Sequence, residues 1–259
     1  MKFKIIEYNK KYDFQLKKLY LNNITRTATP DGQIYQSQLF EKYGYLKMFI
    51  CYFIFGLLLY ILLQLLINQI MAVIFTVLIL LVFFQQGYVI VLVKILIYYY
   101  CFNVFIHDFR NIDQYYGSKN NKLWLAIDEE QDDVLGVAAL DESTSLLDDL
   151  NLWDTVLSDE NQKQKHKTQV CELKRMSVSP KAAGKGIGKA LTERFIQYAE
   201  SKGFEYAFLT TYKFNKAATK LYEKLGFQIK QIIPFDSIHN ILNLEVSFMV
   251  KQFNSTKSK

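Results

Sequence analysis

A long run of uncharged, mostly apolar residues is the feature that most constrains this sequence. From Met48 to Val93 no residue carries a charge. One bilayer crossing takes about 20 apolar residues, so this run is long enough for two crossings. The polar pair Asn68 and Gln69 interrupts the run. The uncharged run with this central interruption therefore predicts a transmembrane helical hairpin, which we assign to residues 46–100.

Lysines stand at both ends of this predicted hairpin. Lys42 and Lys47 mark its entry and Lys94 marks its exit, whereas the predicted connection between its helices has no charge. Basic residues stay preferentially on the cytoplasmic side of a membrane, so both flanks are expected in the cytosol. The segments before and after the hairpin can then form one folded domain, with membrane lipid as a partner of the hairpin.

Composition excludes several other classes of protein. The net charge is +6, but aromatic and basic residues do not alternate as they do on nucleic-acid platforms, so no nucleic-acid partner is expected. The three cysteines, Cys51, Cys101 and Cys171, have no paired spacing, which argues against a disulfide framework or a zinc site. We therefore expect no bound metal.

The hydrophobic periodicity outside the run predicts strands and helices in a mixed order, which indicates an α/β fold. Residues 1–45 supply a strand and helices, residues 101–253 form the core, and residues 254–259 are a tail. Residues 141–168 are polar without a clear period. We interpret them as an inserted loop with one short helix around Leu146–Leu157.

Two strand patterns predict which side chains are buried. In "QVCELKRMSV", alternation places Glu172, Met176 and Val178 on one face, with Cys171 on the opposite face in the core. In "LNLEVSFMV", the alternation of apolar residues predicts a strand with one buried face.

The stretch "SVSPKAAGKGIGKAL", residues 177–191, lies between a predicted strand and a predicted helix. Gly184, Gly186 and Gly188 leave backbone N–H groups accessible at a helix N-terminus, where the helix dipole favours an anion. The spacing matches neither GxxxxGK[ST] nor GxGxxG, so it is neither a P-loop nor a dinucleotide fingerprint. Taken alone, the turn is either an anion site or an ordinary tight loop.

Two motifs together, "ELKRMSVSPKAAGKGIGKAL" and "NKAATKLYEKLGF", resemble the GNAT superfamily of N-acetyltransferases over residues 170–233. The resemblance implies the GNAT fold, an α/β sheet flanked by helices, here with an inserted hairpin. The hairpin position is similar to that of the membrane-bound camello-like group, which acetylates aspartate and cysteine conjugates. That group implies a location in the endoplasmic reticulum membrane. The insertion at 141–168 departs from the group.

The resemblance also implies acetyl-CoA as co-substrate, with its pyrophosphate on the amides of residues 183–188 and its pantetheine arm on the strand before them. Ala183 departs from the pattern, because Arg or Gln is usual there. Lys185 and Lys189 either add charge at the phosphates or are simply solvated. The implied coenzyme-binding residues are Met176, Val178, Ala183, Gly184, Lys185, Gly186, Ile187, Gly188, Lys189 and Asn215.

Two residues are candidates for the proton transfers of amine acetylation. Glu172 is the candidate base, since an apolar wall beside it would raise its pKa into a useful range. A salt bridge to Lys174 or Arg175 is the alternative, and a water chain could replace any single base. By resemblance, Tyr222 is the candidate general acid at the coenzyme sulfur, although a core aromatic would show the same spacing.

Other side chains remain open as alternatives. His107 and His166 are the alternative bases. A carboxylate on the substrate would need a cation, for which Arg175, Arg110 and Lys213 are candidates.

The leading hypothesis is a membrane-anchored N-acetyltransferase that acts on the amine of a small amino acid or amino-acid conjugate. A protein acetyltransferase for lysines or N-termini is the second hypothesis. The third is a non-catalytic acyl-CoA-binding membrane protein, which Ala183 alone favours.

Overall fold

The computed structural model describes residues 1–27, 108–118, 120–157, 169–234 and 245–253. The predicted hairpin at 46–100 and the tail at 254–259 lie outside these residues. Among the helices that are described, none combines the length and apolar character needed to cross a bilayer. Contacts divide the chain into a unit of Met1–Ile24 with Asn103–Lys259 and a second unit, Thr25–Phe102.

Seven strands form one mixed sheet in the order β1-β2-β3-β4-β5-β7-β6. Only β4 and β5 pair in parallel, and the other neighbouring strands are antiparallel. This confirms the predicted mixed α/β architecture. The strands are β1 (Phe3–Glu7), β2 (Lys122–Asp128), β3 (Val134–Asp141), β4 (Val170–Val178), β5 (Tyr206–Tyr212), β6 (Gln228–Pro234) and β7 (Glu245–Gln252).

Two of the described helices matter most for the site: the one that follows the glycine turn and the one that follows β5. The described helices differ in length. They are α1 (Asp13–Thr27), α2 (Ile112–Tyr116), α3 (Ser145–Asp149), α4 (Trp153–Val156), α5 (Ile187–Ser201) and α6 (Lys216–Lys224). The α5 helix ends before Gly203 and α6 before Gly226. Both glycines have positive φ, as expected for left-handed helix ends.

The helices bury apolar side chains on the two faces of the sheet. On one face, Ile187, Leu191 and Phe195 of α5 pack with strand residues. The fit is close, since a Cβ on Gly136 of β3 would lie 2.9 Å from Ile187 Cγ2. This packing fixes the N-terminus of α5 against the centre of the sheet.

The other face is covered by residues that the sequence suggested were a polar insertion. Leu147 of α3 and Trp153 of α4 are buried in a cluster with Val170, Phe208 and Phe248. The prediction of one short helix in a loop is wrong for residues 145–157, which form two helices that contribute to the core. Sparse apolar residues on two short helices leave too weak a period to detect.

β7 is also buried more completely than its sequence pattern predicts. Its five central residues, Val246–Val250, are all buried, including Ser247. The strand lies between β5 and β6, and apolar clusters cover both of its faces. The predicted buried face is confirmed, and the opposite face is buried as well, because a central strand in a covered sheet has no exposed face.

β4 contains a β-bulge. Arg175 and Met176 together stand opposite the single residue Ala138 of β3. Arg175 has a φ of 58°, in the left-handed region that non-glycine residues rarely adopt. A bulge adds one residue to the strand and bends it.

The bulge changes which side chains of β4 share a face. Cys171, Met176 and Val178 all pack on the cluster beneath α5, whereas Val170 packs in the opposite cluster. By alternation, Glu172 is on the Val170 side. The prediction that Glu172 shares a face with Met176 and Val178 is therefore wrong, because the extra residue shifts the alternation by one.

Candidate active site

The glycine turn between β4 and α5 has an open surface. Gly184 and Gly186 have φ values of 75° and 79°, and a Cβ on either would meet no atom within 4 Å. Gly186 is the residue immediately before α5. The turn therefore presents bare backbone at a helix N-terminus, on the solvent side.

Several amides of this turn have no acceptor within the described parts of the chain. No backbone or side-chain hydrogen bond there uses the N–H of Gly184, Gly186, Ile187, Gly188 or Lys189. The amides of Ala183 and Lys185, in contrast, donate within the turn to Pro180 and Ala182. Converging amides at the positive end of a helix dipole form a site suited to a phosphate group.

β4 and β5 separate beside this turn. Their parallel pairing ends at Glu172 and Phe208, although β4 continues to Val178 and β5 to Tyr212. The strands diverge beyond that pair, so the edge of β4 that faces β5 is left without a strand partner. The separation is the geometry that the sequence resemblance implies for the pantetheine arm.

The amides of this open edge can be assigned from the neighbouring bond pattern. Ser179 donates its N–H to Leu135 of β3, at 2.7 Å. Because N–H groups alternate between the two edges of a strand, those of Met176 and Val178 are directed towards β5. These two predicted coenzyme residues therefore present backbone donors to the gap.

Glu172 lies at the last paired position before the gap. It is half-buried, and no hydrogen bond or ion pair joins its carboxylate to any residue that the structure describes. The alternative of a salt bridge to Lys174 or Arg175 does not occur, since Lys174 pairs with Asp141 and Arg175 with Asp108. Its carboxylate is available for a proton transfer.

Burial shifts the proton affinity of Glu172. It raises the pKa of this carboxyl from 4.5 to about 7. The positive charge of Lys174 opposes this rise in pKa, and the negative charge of Asp141 adds to it. Arg175 also lowers the pKa and Asp108 also raises it, both more weakly. A carboxyl with a pKa near neutrality is suited to accept a proton from an amine.

The same shift predicts how stability changes with pH. A carboxyl with a higher pKa in the folded state holds its proton more tightly there, so stability falls as the pH rises from about 4.5 to about 7. Glu172→Gln removes this loss. We expect its free energy of unfolding, relative to wild type, to increase by about 1–3 kcal/mol over that range.

Urea unfolding at pH 5 and pH 8 measures this difference. Glu200→Gln, at an exposed position of α5, is the matched control and should follow wild type at both pH values. Parallel behaviour of Glu172→Gln and Glu200→Gln would contradict the raised pKa.

Asp141, Lys174 and Tyr115 form a polar group beside Glu172. Lys174 pairs with Asp141, and the Tyr115 hydroxyl donates to Asp141 Oδ2 at 2.6 Å. Burial raises the pKa of Asp141, but the charge and hydrogen bond of Lys174 outweigh it, so that pKa lies below its ordinary value. Asp141 therefore stays ionised directly opposite Glu172 in the sheet register.

Tyr222 and Asn215 are both on or next to α6. The Tyr222 side chain is 5% exposed, and its hydroxyl has no hydrogen-bond partner among the described residues. Burial raises its pKa. The Asn215 side chain accepts the Ala218 N–H at 3.2 Å and so caps α6. Its contact with a coenzyme stays a prediction.

The other predicted residues have different positions. Cys171 is fully buried, and burial raises the pKa of its thiol. Lys185 and Lys189 are exposed beside the glycine turn, and Lys189 pairs with Glu193. His107 and His166 lie outside the described residues. No group of three potential metal ligands occurs among the residues described.

The comparison with known families decides what this arrangement belongs to. The sequence model of the Acetyltransferase (GNAT) family matches residues 93–227, more than half of the chain. The chain belongs to the GNAT family. The glycine turn, the separated strands and Glu172 all lie within the matched residues.

Several curated proteins are similar to this GNAT chain over part of its length. "Probable N-acetyltransferase 14" of Xenopus tropicalis is 32% identical over 122 residues, which is 47% of this chain and 48% of that protein. The N-acetylaspartate synthetase of Danio rerio is 47% identical over 57 residues, which is 22% of this chain and 20% of that protein. The matches thus span about half or less of these relatives.

A solved structure is similar over nearly the whole chain. It is a GNAT-family acetyltransferase from Staphylococcus aureus Mu50, at 16% identity and a TM-score of 0.49, covering 98% of this chain and 100% of that chain.

Proposed function

We propose that this GNAT-family chain is an N-acetyltransferase that transfers the acetyl group of acetyl-CoA to an amine. The observation that carries the proposal is a set of amides next to the gap between β4 and β5 that have no acceptor among the described residues, those of Gly184, Gly186, Ile187, Gly188 and Lys189. The amides fit a pyrophosphate, and the gap fits an extended arm that continues from it. Lys185 and Lys189 add positive charge beside the same turn.

Two proton transfers of the proposed reaction can be assigned to residues of this chain: one from the acceptor amine to Glu172, and one from Tyr222 to the leaving thiolate. Glu172 takes a proton from the acceptor ammonium, and the neutral nitrogen attacks the acetyl carbonyl carbon. The N–C bond forms and the C–S bond breaks, so the thiolate leaves and accepts the proton of the Tyr222 hydroxyl. The nitrogen loses its second proton to solvent as the amide forms. Tyr222 regains a proton from solvent and Glu172 releases its proton to solvent, which returns both residues to their starting states. The N–H groups of Met176 and Val178 are the donors available to the carbonyl oxygen and the arm.

For the acceptor we propose the amine of a small amino acid or an amino-acid conjugate, and for the enzyme we propose an anchor in a membrane. The name of the Danio rerio relative, N-acetylaspartate synthetase, supports an amino-acid acceptor. Arg110 suits the acceptor carboxylate, since it is exposed and no described residue pairs with it. The uncharged run from Met48 to Val93 supports a hairpin anchor, and the lysines on its flanks support a domain in the cytosol. An endoplasmic reticulum membrane is proposed only because of the resemblance to the camello-like group.

One observation favours a second acceptor class. The two cations nearest Glu172 along β4, Lys174 and Arg175, are each held by a carboxylate, and Lys213 pairs with Glu245 at 2.7 Å. An acceptor without a carboxylate, such as a lysine side chain of a protein, needs none of these cations. It needs only a base such as Glu172.

A scan of acceptor amines tests the function and the acceptor class together. The detergent-solubilised full chain is incubated with acetyl-CoA and free amino acids, S-conjugates or lysine peptides, and release of the coenzyme thiol is measured. We expect release with one of these amine classes and its loss in Tyr222→Phe. Coenzyme binding without release for any amine would instead favour a non-catalytic acyl-CoA-binding protein.

The glycine turn gives a separate prediction for coenzyme binding. Gly186→Ala places a Cβ at a φ of 79°, which costs about 1–2 kcal/mol in strain and displaces the amides of the turn. We expect the Kd for coenzyme A, measured by calorimetry, to rise about tenfold.

Gly203→Ala is the matched control. Gly203 has a φ of 77°, and a Cβ there would also have no atom within 4 Å, but it lies at the opposite end of α5. Both variants should lose similar stability, and only Gly186→Ala should lose affinity. Equal affinities of the two variants would place the coenzyme elsewhere.

A further inference from the structure

Arg175 adopts a backbone conformation that its own sequence does not favour. Its φ of 58° occurs at the bulge opposite Ala138, within the stretch of β4 that borders the gap. Non-glycine residues hold such a conformation only where their surroundings fix it. The contacts of Arg175 should therefore show what fixes it.

The side chain of Arg175 is held by residues from two distant segments. Its Nε donates to Asp108 Oδ2 at 2.7 Å and its second terminal nitrogen to Asp108 Oδ1 at 3.2 Å, a bidentate pair. Its other terminal nitrogen is 3.3 Å from the Tyr20 hydroxyl of α1. Asp108 is fully buried and also accepts a hydrogen bond from Tyr116. A paired fork of this kind fixes orientation as well as distance.

A second contact fixes the end of the same stretch. The Asn23 side-chain amide, one turn after Tyr20 on α1, donates to Ser177 Oγ at 2.6 Å and to the Val178 carbonyl at 2.9 Å. The strand from Arg175 to Val178 is thus held at both ends by side chains outside the sheet. We call Asp108, Arg175 and Asn23 the clasp.

The bulge, at which Arg175 is held, determines which edge of β4 presents the amides of Met176 and Val178. Without the bulge, Met176 and Val178 would point to the opposite face and their N–H groups to β3 instead of the gap. With it, these N–H groups face the gap beside the glycine turn. Nothing in the clasp lies in the turn itself.

We propose that the clasp residues Asp108, Arg175 and Asn23 are positioning residues, which hold the open edge of β4 for the acylated pantetheine arm without contacting the coenzyme. This inference rests on the proposed use of acetyl-CoA. It gives α1 and the segment around Asp108 an indirect role in coenzyme binding.

Two ligands separate the clasp from general loss of structure. Coenzyme A uses both the glycine turn and the edge of β4, whereas adenosine 3′,5′-bisphosphate lacks the pantetheine arm. In Arg175→Gly we expect the Kd for coenzyme A to rise about tenfold, in line with the loss of a charged hydrogen-bonded pair. The Kd for the bisphosphate should remain that of wild type. Glycine accepts a φ of 58° without strain, so this variant removes the side chain while the backbone conformation remains allowed.

Two further variants keep the test decisive. Asn23→Ala leaves the ion pair between Arg175 and Asp108 intact, so it can be tested even if Arg175→Gly unfolds. It should weaken the binding of coenzyme A and leave the binding of the bisphosphate unchanged. Arg194→Gln removes an exposed arginine of α5 and should change neither affinity.

Each result has one reading. A selective loss of coenzyme A affinity in Arg175→Gly or Asn23→Ala supports the clasp. Unchanged affinity in both variants, or an equal loss of affinity for both ligands, contradicts the positioning role of the clasp but not the proposed function. A wild-type protein that binds no coenzyme A overturns both.

Discussion

Glu172→Gln is expected to lower kcat/KM for the acceptor amine by about 10²–10⁴-fold at pH 8, the usual contribution of a general base. Glutamine has a similar size but accepts no proton in this pH range. Glu172 has no partner among the described residues, so the change should break no contact there. It also lies on the face opposite Met176 and Val178, so the Kd for coenzyme A should not change.

The pH profile gives the sharper form of this prediction. In wild type, kcat/KM should rise through an apparent pKa near 7, the value to which burial raises Glu172. In Glu172→Gln that limb should disappear, and in Glu200→Gln it should persist. A glutamine variant that keeps most of its activity and the limb would show that a water chain takes the proton instead.

Tyr222→Phe is expected to lower kcat by about 10²-fold or more, because the leaving thiolate loses its proton donor. The missing hydroxyl has no partner within the described residues, and the ring stays in its apolar contacts with Phe227. Stability and the Kd for coenzyme A should therefore remain close to those of wild type. Single-turnover thiol release with saturating amine measures the effect on the chemical step.

Tyr198→Phe is the matched control for this change. Tyr198 is a partly buried tyrosine on α5, and its ring packs edge-on against Trp124, away from α6. Its loss should leave kcat unchanged. If both variants keep full kcat, Tyr222 is a core aromatic and the thiolate is protonated by another group or by water.

Much of the local structure was predictable from the sequence. The patterns "QVCELKRMSV" and "LNLEVSFMV" located β4 and β7 to within a few residues, and the glycine turn located the start of α5. The Asn215 cap and the left-handed Gly226 after α6 depend on sequence signals of the same local kind. The signals for these features lie within about four residues of one another along the chain, so each can be interpreted without knowledge of the fold.

The sequence by itself determined the glycine turn, the helix that follows it and the half-buried carboxylate of Glu172 before it. Only the tertiary structure decided which face Glu172 occupies, because the bulge at Arg175 depends on residues far away along the chain. Tyr20 is 155 positions from Arg175, and Tyr115 is 26 positions from Asp141. Local hydrophobic periodicity cannot predict contacts between residues that are so far apart along the chain. They form only where the sheet and α1 bring separate segments together, and a single unfavourable φ is then held by charged hydrogen bonds.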